Sequence, residues 1–561
     1  MASKETSRDP SASAATTKGA IGVKISRDRS ALLIGVFLHF CALAFYYFSV
    51  LHIDYHKTAF LNLDPHPDAD EYFAQARGLL TEGKPYIQIG YDKLPSRYPP
   101  GYPVLMLPWL KFLPSNESIL APFRTNQAIG LLLLLGVFTF YCTQGKPLDG
   151  GLTSLLLATL PAFVTLSRSS MSEISGAGAI ACAIALIYLG LKNKNRWQIY
   201  LAAVVMGLAI NIRMQLVFFG PLLLAMALFP VTGSPIKWLL HCGAVLVVFT
   251  LAASPLLLLN TMQFRHPLRT GYDFWVPSLT DQHPLFALHN VSGHAAMIWS
   301  ELTGRWENFR VANLFGTGTY FVSAFVVLTT IGICFLRPDR FQLCVWLAAF
   351  SFLAATATYR FVDGRFYLPL LFLFAAVAEL PVGWAVRNAA AKRNKTAAFV
   401  IFVLFILTCI GYPSQSGFKP KANRVQAWDA LHFPGLGQRS SRFEAEQSFV
   451  RTCGSQPGIV LSDIDSAYLN ALLPKPFVAA PLDAKHAYAF SRLWHYGKVE
   501  ALNLIKQSLE KALPVYALFV PVKDPNQSYA RLPTLDGYRW IAIEDSATQG
   551  VIMKLTPVPL H

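Results

Sequence analysis

Long apolar runs separated by short hydrophilic gaps fill the chain from residue 31 to residue 413. A bilayer core of about 30 Å takes roughly 20 apolar residues as a helix. On that measure the runs predict about eleven spans, at 31–51, 119–142, 151–168, 174–191, 197–212, 214–229, 238–259, 319–336, 341–358, 366–384 and 397–413. Two long polar intervals, 52–118 and 260–318, interrupt the series. After residue 413 the pattern changes: Gly458 to Ser462 and Val515 to Val520 read as buried strands, and Lys498 to Leu513 as an amphipathic helix. A small α/β domain is therefore predicted over 414–561.

Charge orients the spans. Residues 1–30 hold Lys4, Arg8, Lys18, Lys24, Arg27 and Arg29 among Ser, Thr and Ala, and no small-residue cleavage site follows the first apolar run. This reads as a disordered cytoplasmic tail before an uncleaved anchor. Counting onward, each short inside loop is basic: Lys146; Lys192, Lys194 and Arg196; Lys237; Arg337 and Arg340; Arg387, Lys392, Arg393 and Lys395. With an odd number of spans, both long loops and the C-terminal domain fall outside. The fold class expected is a polytopic α-helical membrane protein, 31–413, with outer-face amphipathic helices and an extracytoplasmic α/β domain, set in a cell inner membrane or the endoplasmic reticulum.

Composition supports this class. Of the 561 residues 53% are hydrophobic and 14% charged, against about 25% charged in a soluble domain. That excludes an ordinary soluble enzyme, and the ample apolar surface excludes general disorder. The net charge of +16 lies in the short loops, so it determines topology and does not form a groove for nucleic acid. Seven of the eight cysteines lie in or beside apolar runs and only Cys453 is in a polar region, so neither a disulfide framework nor a metal spacing is present.

The candidate chemistry lies on the outer side. Asp68, Asp70 and Glu71 open a segment in which Tyr72, Phe73, Ala76, Leu79 and Leu80 recur at helical intervals. This predicts a short amphipathic helix on the membrane surface with acids in its first turn. The same spacing of Asp68 and Glu71 also fits a helix cap. Glu173 follows Arg168 in the turn 168–173, where it can face a headgroup or simply pair with Arg168. Asn211 and Arg213 occupy another outer turn, Arg360, Asp363 and Arg365 a third, and Arg265, His266, Arg269 and Tyr272 follow the seventh span. Single interfacial arginines often only snorkel. Acids and guanidinium groups gathered on one side, against the positive-inside tendency, suit an anionic headgroup held beside an acid or base. Tyr98-Pro99-Pro100-Gly101-Tyr102-Pro103 fixes a bend before the apolar stretch Val104 to Leu113.

These residues resemble the polyprenyl-phosphate-sugar-dependent membrane glycosyltransferases of the GT-C class, particularly aminoarabinose transferases and protein O-mannosyltransferases. The resemblance is carried by Pro67-Asp68, Tyr72, Ala76-Arg77, Leu80 and Gly83, and by Pro99-Pro100. Echoes follow at Ser167-Arg168 with Glu173, at Gly207 to Arg213, at Asn260 through Gly271-Tyr272, and at Arg365-Phe366-Tyr367-Leu368-Pro369. It covers roughly residues 30 to 385. It implies the GT-C fold, and it implies Asp68 as catalytic base by register, although Asp70-Glu71 also matches the Asp-Glu of some members. Glu173 takes the place of a second acid, commonly aspartate, so a divalent cation stays an open question. Arg365, Arg213 and Arg168 are the candidates for the donor phosphate, and Tyr72, Tyr98, Pro99, Tyr272 and Asp363 for the substrate cavity. The implied partners are membrane lipid, a polyprenyl-phosphate sugar as donor, and a glycan, lipid or protein as acceptor.

A sugar on a lipid phosphate already carries a good leaving group. What remains is a base for the acceptor and cations for the departing phosphate, with inversion if one base acts on the acceptor. Two other classes compete. A secondary transporter would show related halves and mid-span ionisable groups; no clear repeat is present. A membrane scaffold with an outer recognition domain is the other, and Asp463, Asp465, His486 and His495 there show no site-like spacing. Asn116, Asn290 and Asn526 begin glycosylation sequons on the outer side.

Overall fold

The computed structural model describes residues 29–63, 68–231, 233–275, 285–303, 319–414, 441–454, 457–475, 477–482, 498–520, 530–546 and 550–559. Residues 1–28, Pro67, His486, His495 and Asn526 lie outside the described residues.

Among the described residues six helices are long and apolar enough to cross a membrane: Arg29–Leu51, Ser115–Thr143, Glu173–Asn193, Pro235–Phe264, Arg340–Thr358 and Gly364–Ala390. Pro147–Thr159 and Pro161–Arg168 make a seventh if joined, bent by 64°. Pro161 lacks the N–H that would continue the first helix, and Leu160 before it is extended (φ −66°, ψ 122°). Arg196–Ile212, Ser323–Phe335 and Lys395–Cys409 are apolar but shorter. The eleven continuous spans expected from hydropathy are corrected in one place above all. The run 214–229 is a 3-10 turn, Met214–Phe219, then a six-residue helix, Leu222–Ala227. Gly220 and Pro221 separate them, and hydropathy does not register such a break.

Two local devices set the chain at the end of the bundle that carries Asp68. Pro255 lies inside the helix Pro235–Phe264, and the side-chain amide of Asn211 inserts into the turn beside it. Leu256 N donates to Asn211 Oδ1 at 2.9 Å, and Asn211 Nδ2 donates to Ala252 O at 2.9 Å. The amide thus bonds to both of those backbone groups and ties Arg196–Ile212 to Pro235–Phe264. The second device is Gly101. The helix Gly101–Phe112 starts as soon as Pro99-Pro100 allows, and a Cβ at Gly101 would lie 2.4 Å from Asn211 O. Only glycine permits this approach.

The helix Asp68–Glu82 leads to a hairpin of β1 (Ile87–Ile89) and β2 (Asp92–Leu94). The C-terminal sheet contains β3 (Gly458–Ser462), β4 (Phe477–Pro481), β5 (Val515–Phe519), β6 (Tyr538–Ser546) and β7 (Gly550–Pro557) in the order β4-β3-β5-β7-β6. β3 pairs in parallel with β4 and β5, whereas β7 runs antiparallel to β5 and β6. Alternation of side chains divides the sheet. Ile459, Leu461, Ala517 and Phe519 enter a core with Ala501 and Ile505 of the helix Lys498–Glu510. Val460, Tyr516, Leu518 and Ile552 face Phe449 and Tyr468 and share a core with Tyr72, Phe73 and Ala76.

This contact encloses the helix in protein, a cover that its apolar periodicity did not predict. Ala69 to Ala76 are buried without a break, because the 466–472 helix and one face of the sheet cover the side a membrane-surface helix would leave in water. The prediction concerns Gly101. Replacing it by alanine destabilises the protein by about 1–3 kcal/mol, the usual range for overpacking, read as a lowered thermal midpoint in detergent. An unchanged midpoint contradicts the close approach.

Candidate functional site

Three acids share the first turn of the helix Asp68–Glu82. Successive residues step by about 100° around a helix, so Asp68 and Asp70 point to opposite sides while Glu71 returns toward Asp68. Arg365 Nη2 donates to Asp68 Oδ2 at 2.8 Å, Tyr98 OH donates to Asp68 Oδ1, and Arg97 Nη2 lies 3.8 Å from Oδ1. Glu71 is fully buried and receives Arg97 Nε at 2.6 Å, Arg97 N at 2.7 Å and Ser96 Oγ at 2.6 Å. Glu71 therefore fixes the loop that carries Arg97 and Tyr98, and does not fold back as a capping acid. Asp70, also fully buried, faces Arg442 at 3.1 Å on the far side.

The network continues through the turns between the long helices. Arg365 Nε lies 2.6 Å from Asp363 Oδ2 and 3.5 Å from Glu173 Oε1. Arg213 Nη1 lies 2.7 Å from the same Glu173 oxygen and donates to Ser172 Oγ at 3.0 Å, and Ser172 Oγ is 2.9 Å from Tyr72 OH. Phe366 offers its ring to both guanidinium groups, at 5.6 Å from Arg213 and 5.3 Å from Arg365. Tyr272 OH reaches Tyr98 OH at 3.5 Å. Its helix Gly271–Trp275 fits because a Cβ at Gly271 would fall 2.1 Å from Ser96 O.

Asp68, Tyr72, Tyr98, Glu173, Arg213, Tyr272, Asp363 and Arg365 therefore converge. Pro99 is buried beside Tyr98. Arg168 is set apart: its Nε donates to Ser49 O at 2.6 Å, within the helix bundle, and the ion pairs of Glu173 are with Arg213 and Arg365. Of the two sequence readings of Glu173, the pairing with Arg168 is therefore not the one observed. Arg168 ends its helix and turns inward, and Ser169–Ser172 carry the chain on to Glu173. Arg97, Ser172, Tyr359 and His294 are not among the sequence candidates. Arg97 had a signal, adjacency to Tyr98-Pro99-Pro100 in an acid-bearing loop. His294 had none: its Nε2–H donates to Tyr359 O at 2.8 Å and its Nδ1 accepts from Tyr367 OH at 2.8 Å, steadying the turn that carries Arg365.

A cleft opens beside the network. Glu173, Arg213, Gln215, Tyr359 and Arg365 line it, together with an apolar side of Leu216, Phe218, Phe286, Phe352, Ala355 and Pro369. Arg365 Nη1 is buried with no hydrogen-bond partner among the described residues. Burial by itself would raise the Asp68 pKa, but Arg365, Arg97 and the Tyr98 hydroxyl outweigh it and hold the carboxyl below its ordinary range. At Asp363 burial prevails over Arg365 and pushes the carboxyl up to about 6. Among the described residues no three His, Cys, Asp or Glu side chains are placed to hold one metal ion. Asp68 and Glu173 each already face guanidinium, so this donor set does not fit a divalent cation.

No family model and no curated protein matches the sequence. Solved structures do match. The aminoarabinose transferase ArnT from Cupriavidus metallidurans, bound to undecaprenyl phosphate, is similar with a TM-score of 0.58 at 14% identity, over 92% of this chain and 97% of that one. An oligosaccharyltransferase from Archaeoglobus fulgidus, in its apo form, is similar with a TM-score of 0.53 at 12% identity, over 87% of this chain and 70% of that one. The chain has the GT-C fold of membrane glycosyltransferases. The likeness to ArnT spans a larger share of the chain than residues 30 to 385 make up, so the shared fold extends past the stretch whose motifs carry the sequence resemblance.

Asp363 yields a pH prediction. Its carboxyl titrates near 6 in the fold and near 3.9 in an unfolded chain. A group raised on folding contributes stability that is complete below about pH 4 and lost as pH rises through about 6. Thermal stability should therefore decline between those values, by at most about 3 kcal/mol from this residue, and Asp363→Asn should flatten the decline. An unaltered slope in that variant contradicts the assignment.

Proposed function

We propose that the protein transfers a sugar from a polyprenyl-phosphate carrier to an acceptor, with inversion, at the cleft beside Asp68. The observation that carries this reading is Arg365. One guanidinium group contacts Asp68 and Glu173, keeps a buried Nη1 without a hydrogen-bond partner among the described residues, and lines with Arg213 a cleft whose other lining is largely apolar. A lipid phosphate has the same polarity: an anionic head for Arg365 and Arg213, and an isoprenoid tail for Leu216, Phe218 and Phe352. The fold likeness to ArnT, whose structure holds undecaprenyl phosphate, supports this choice of donor.

In the reaction the bond between the sugar's anomeric carbon and the phosphate oxygen breaks, and its electron pair leaves with the phosphate. Arg365 and Arg213 offset the charge that collects there. An acceptor hydroxyl or amine forms the new bond from the opposite face and gives its proton to Asp68. Because its pKa is held low, Asp68 is ionised at neutral pH and ready to accept. It is a weak base, which suffices when the acceptor becomes acidic as its bond to the sugar forms. Tyr98 orients the carboxylate, and Glu173 holds Arg213 and Arg365 in register. Asp70 and Glu71 support the helix and take no proton in this scheme, and Arg168 does not take part in phosphate binding. The N-terminus lies in the cytosol, and the cleft and C-terminal sheet lie outside, in keeping with the basic loops at the other end of the spans. The acceptor is a glycan, lipid or protein.

The test is incubation of the purified protein with radiolabelled polyprenyl-phosphate sugars and an envelope-lipid extract, following label away from the carrier. Label that never leaves the carrier rejects the reading. Asp68→Asn should lower kcat by roughly 10² to 10⁴, the range for a positioned acid or base, with the fold retained; normal turnover excludes Asp68 as the base. Arg365→Ala should raise the donor KM roughly tenfold or more, in line with about 1.5–3 kcal/mol for a hydrogen bond to a charged group. An unchanged donor KM removes Arg365 from the phosphate site.

A further inference from the structure

A buried side chain of the C-terminal region meets the first turn of the Asp68 helix. Arg442, on the helix Ser441–Cys453, is nine-tenths buried, and its Nη2 lies 3.1 Å from Asp70 Oδ2. Its Nη1 donates to Asn62 O at 2.8 Å, and its backbone N donates to Asn62 Oδ1 at 3.0 Å. The guanidinium group stacks on Tyr468 at 4.0 Å, and Tyr468 OH donates to Leu61 O at 2.9 Å. One planar cation thus joins three segments: the turn Ala59–Asn62, the start of the helix Asp68–Glu82, and the helix Ser466–Leu472. Lysine could not make these contacts together, because it lacks the flat fork that forms two hydrogen bonds while stacking.

The position of Asp70 gives this contact its consequence. Asp68 meets Arg365, which lines the cleft, and Asp70, two residues later in the same turn, meets Arg442 on the other side of the helix. The pull of Arg365 on Asp68 is therefore opposed across the helix by Arg442 on Asp70. We propose that Arg442 is a positioning residue for Asp68, holding the first turn of its helix from behind so that the carboxylate stays within reach of the acceptor. This rests on the glycosyl-transfer reading of the cleft. A misplacement of about 1 Å at a reacting group can reduce a rate about 10²-fold, so a clamp two residues from the base falls within the range that matters.

Two readouts on the full-length purified protein test the proposal. The first is amide hydrogen exchange in Arg442→Gln. Peptides covering 68–82 should exchange at least tenfold faster, with those from β3 and β5 unchanged. Unchanged exchange in 68–82, or a uniform increase throughout the chain, overturns the anchoring role. The second is kinetic, with a radiolabelled polyprenyl-phosphate sugar as probe. Arg442→Gln, Asp70→Asn and the double variant should each lower kcat by a similar factor, about tenfold, with donor KM within twofold of the unaltered protein. Losses that multiply in the double variant, or kcat per folded molecule equal to wild type, overturn it. If Arg442→Gln does not fold, Arg442→Lys, which keeps the charge on Asp70, takes its place in both measurements with the same expected direction. If the unaltered protein moves no label, the glycosyl-transfer reading fails, and hydrogen exchange still decides whether Arg442 holds the helix.

Discussion

A charge taken out of water must meet its opposite, and the Arg365 guanidinium group does this for three carboxylates at once. Asp68 and Arg365 are 297 residues apart in the chain, yet their atoms lie 2.8 Å apart. Glu173 and Asp363 press on the same group from other segments. Each of these acids would be expensive to bury alone, and each arginine likewise. Alternating them, from Arg97 through Asp68, Arg365 and Glu173 to Arg213, lets charged groups persist at the end of an apolar bundle. Within this arrangement Arg365 Nη1 is buried without a hydrogen-bond partner among the described residues.

Backbone devices supply the geometry that this chain of charges needs. Pro161 bends one apolar element so that Arg168 turns into the bundle and Glu173 heads the next helix. The Asn211 amide ties the turn before Arg213 to the helix that contains Pro255. Gly101 and Gly271 allow two neighbouring segments to approach more closely than any side chain would permit. The C-terminal sheet completes the enclosure by sharing an apolar core with the Asp68 helix. The acidic first turn is consequently gripped on two sides and does not float at a lipid surface.

Much of this was legible in the order of residues. Apolar runs of bilayer length and basic short loops identify a polytopic membrane protein, since hydrophobicity and length are properties of a segment by itself. The pairing of Asp68 with a bend at Pro99-Pro100, and the recurrence of acids and arginines in the turns at one end of the bundle, named most of the network. Three parts were not legible. The run 214–229 looks like a span because its composition hides the break at Gly220-Pro221. Arg168 looks like a partner for Glu173 because they are close in sequence, although the turn between them carries Arg168 inward. Asp68 and Asp70 look interchangeable because spacing says which sides of a helix they occupy and not what lies on each side.

The sequence by itself determined the membrane class, the positions of most helices and the chemical types gathered at one end, because these follow from local hydrophobicity, proline and glycine geometry, and charge. Only the tertiary structure decided which acid meets which arginine. That depends on contacts between residues tens to hundreds of positions apart, and in a buried setting it is the partner, and not the residue type, that determines whether a carboxylate supports a helix, anchors a neighbouring segment or faces the cleft.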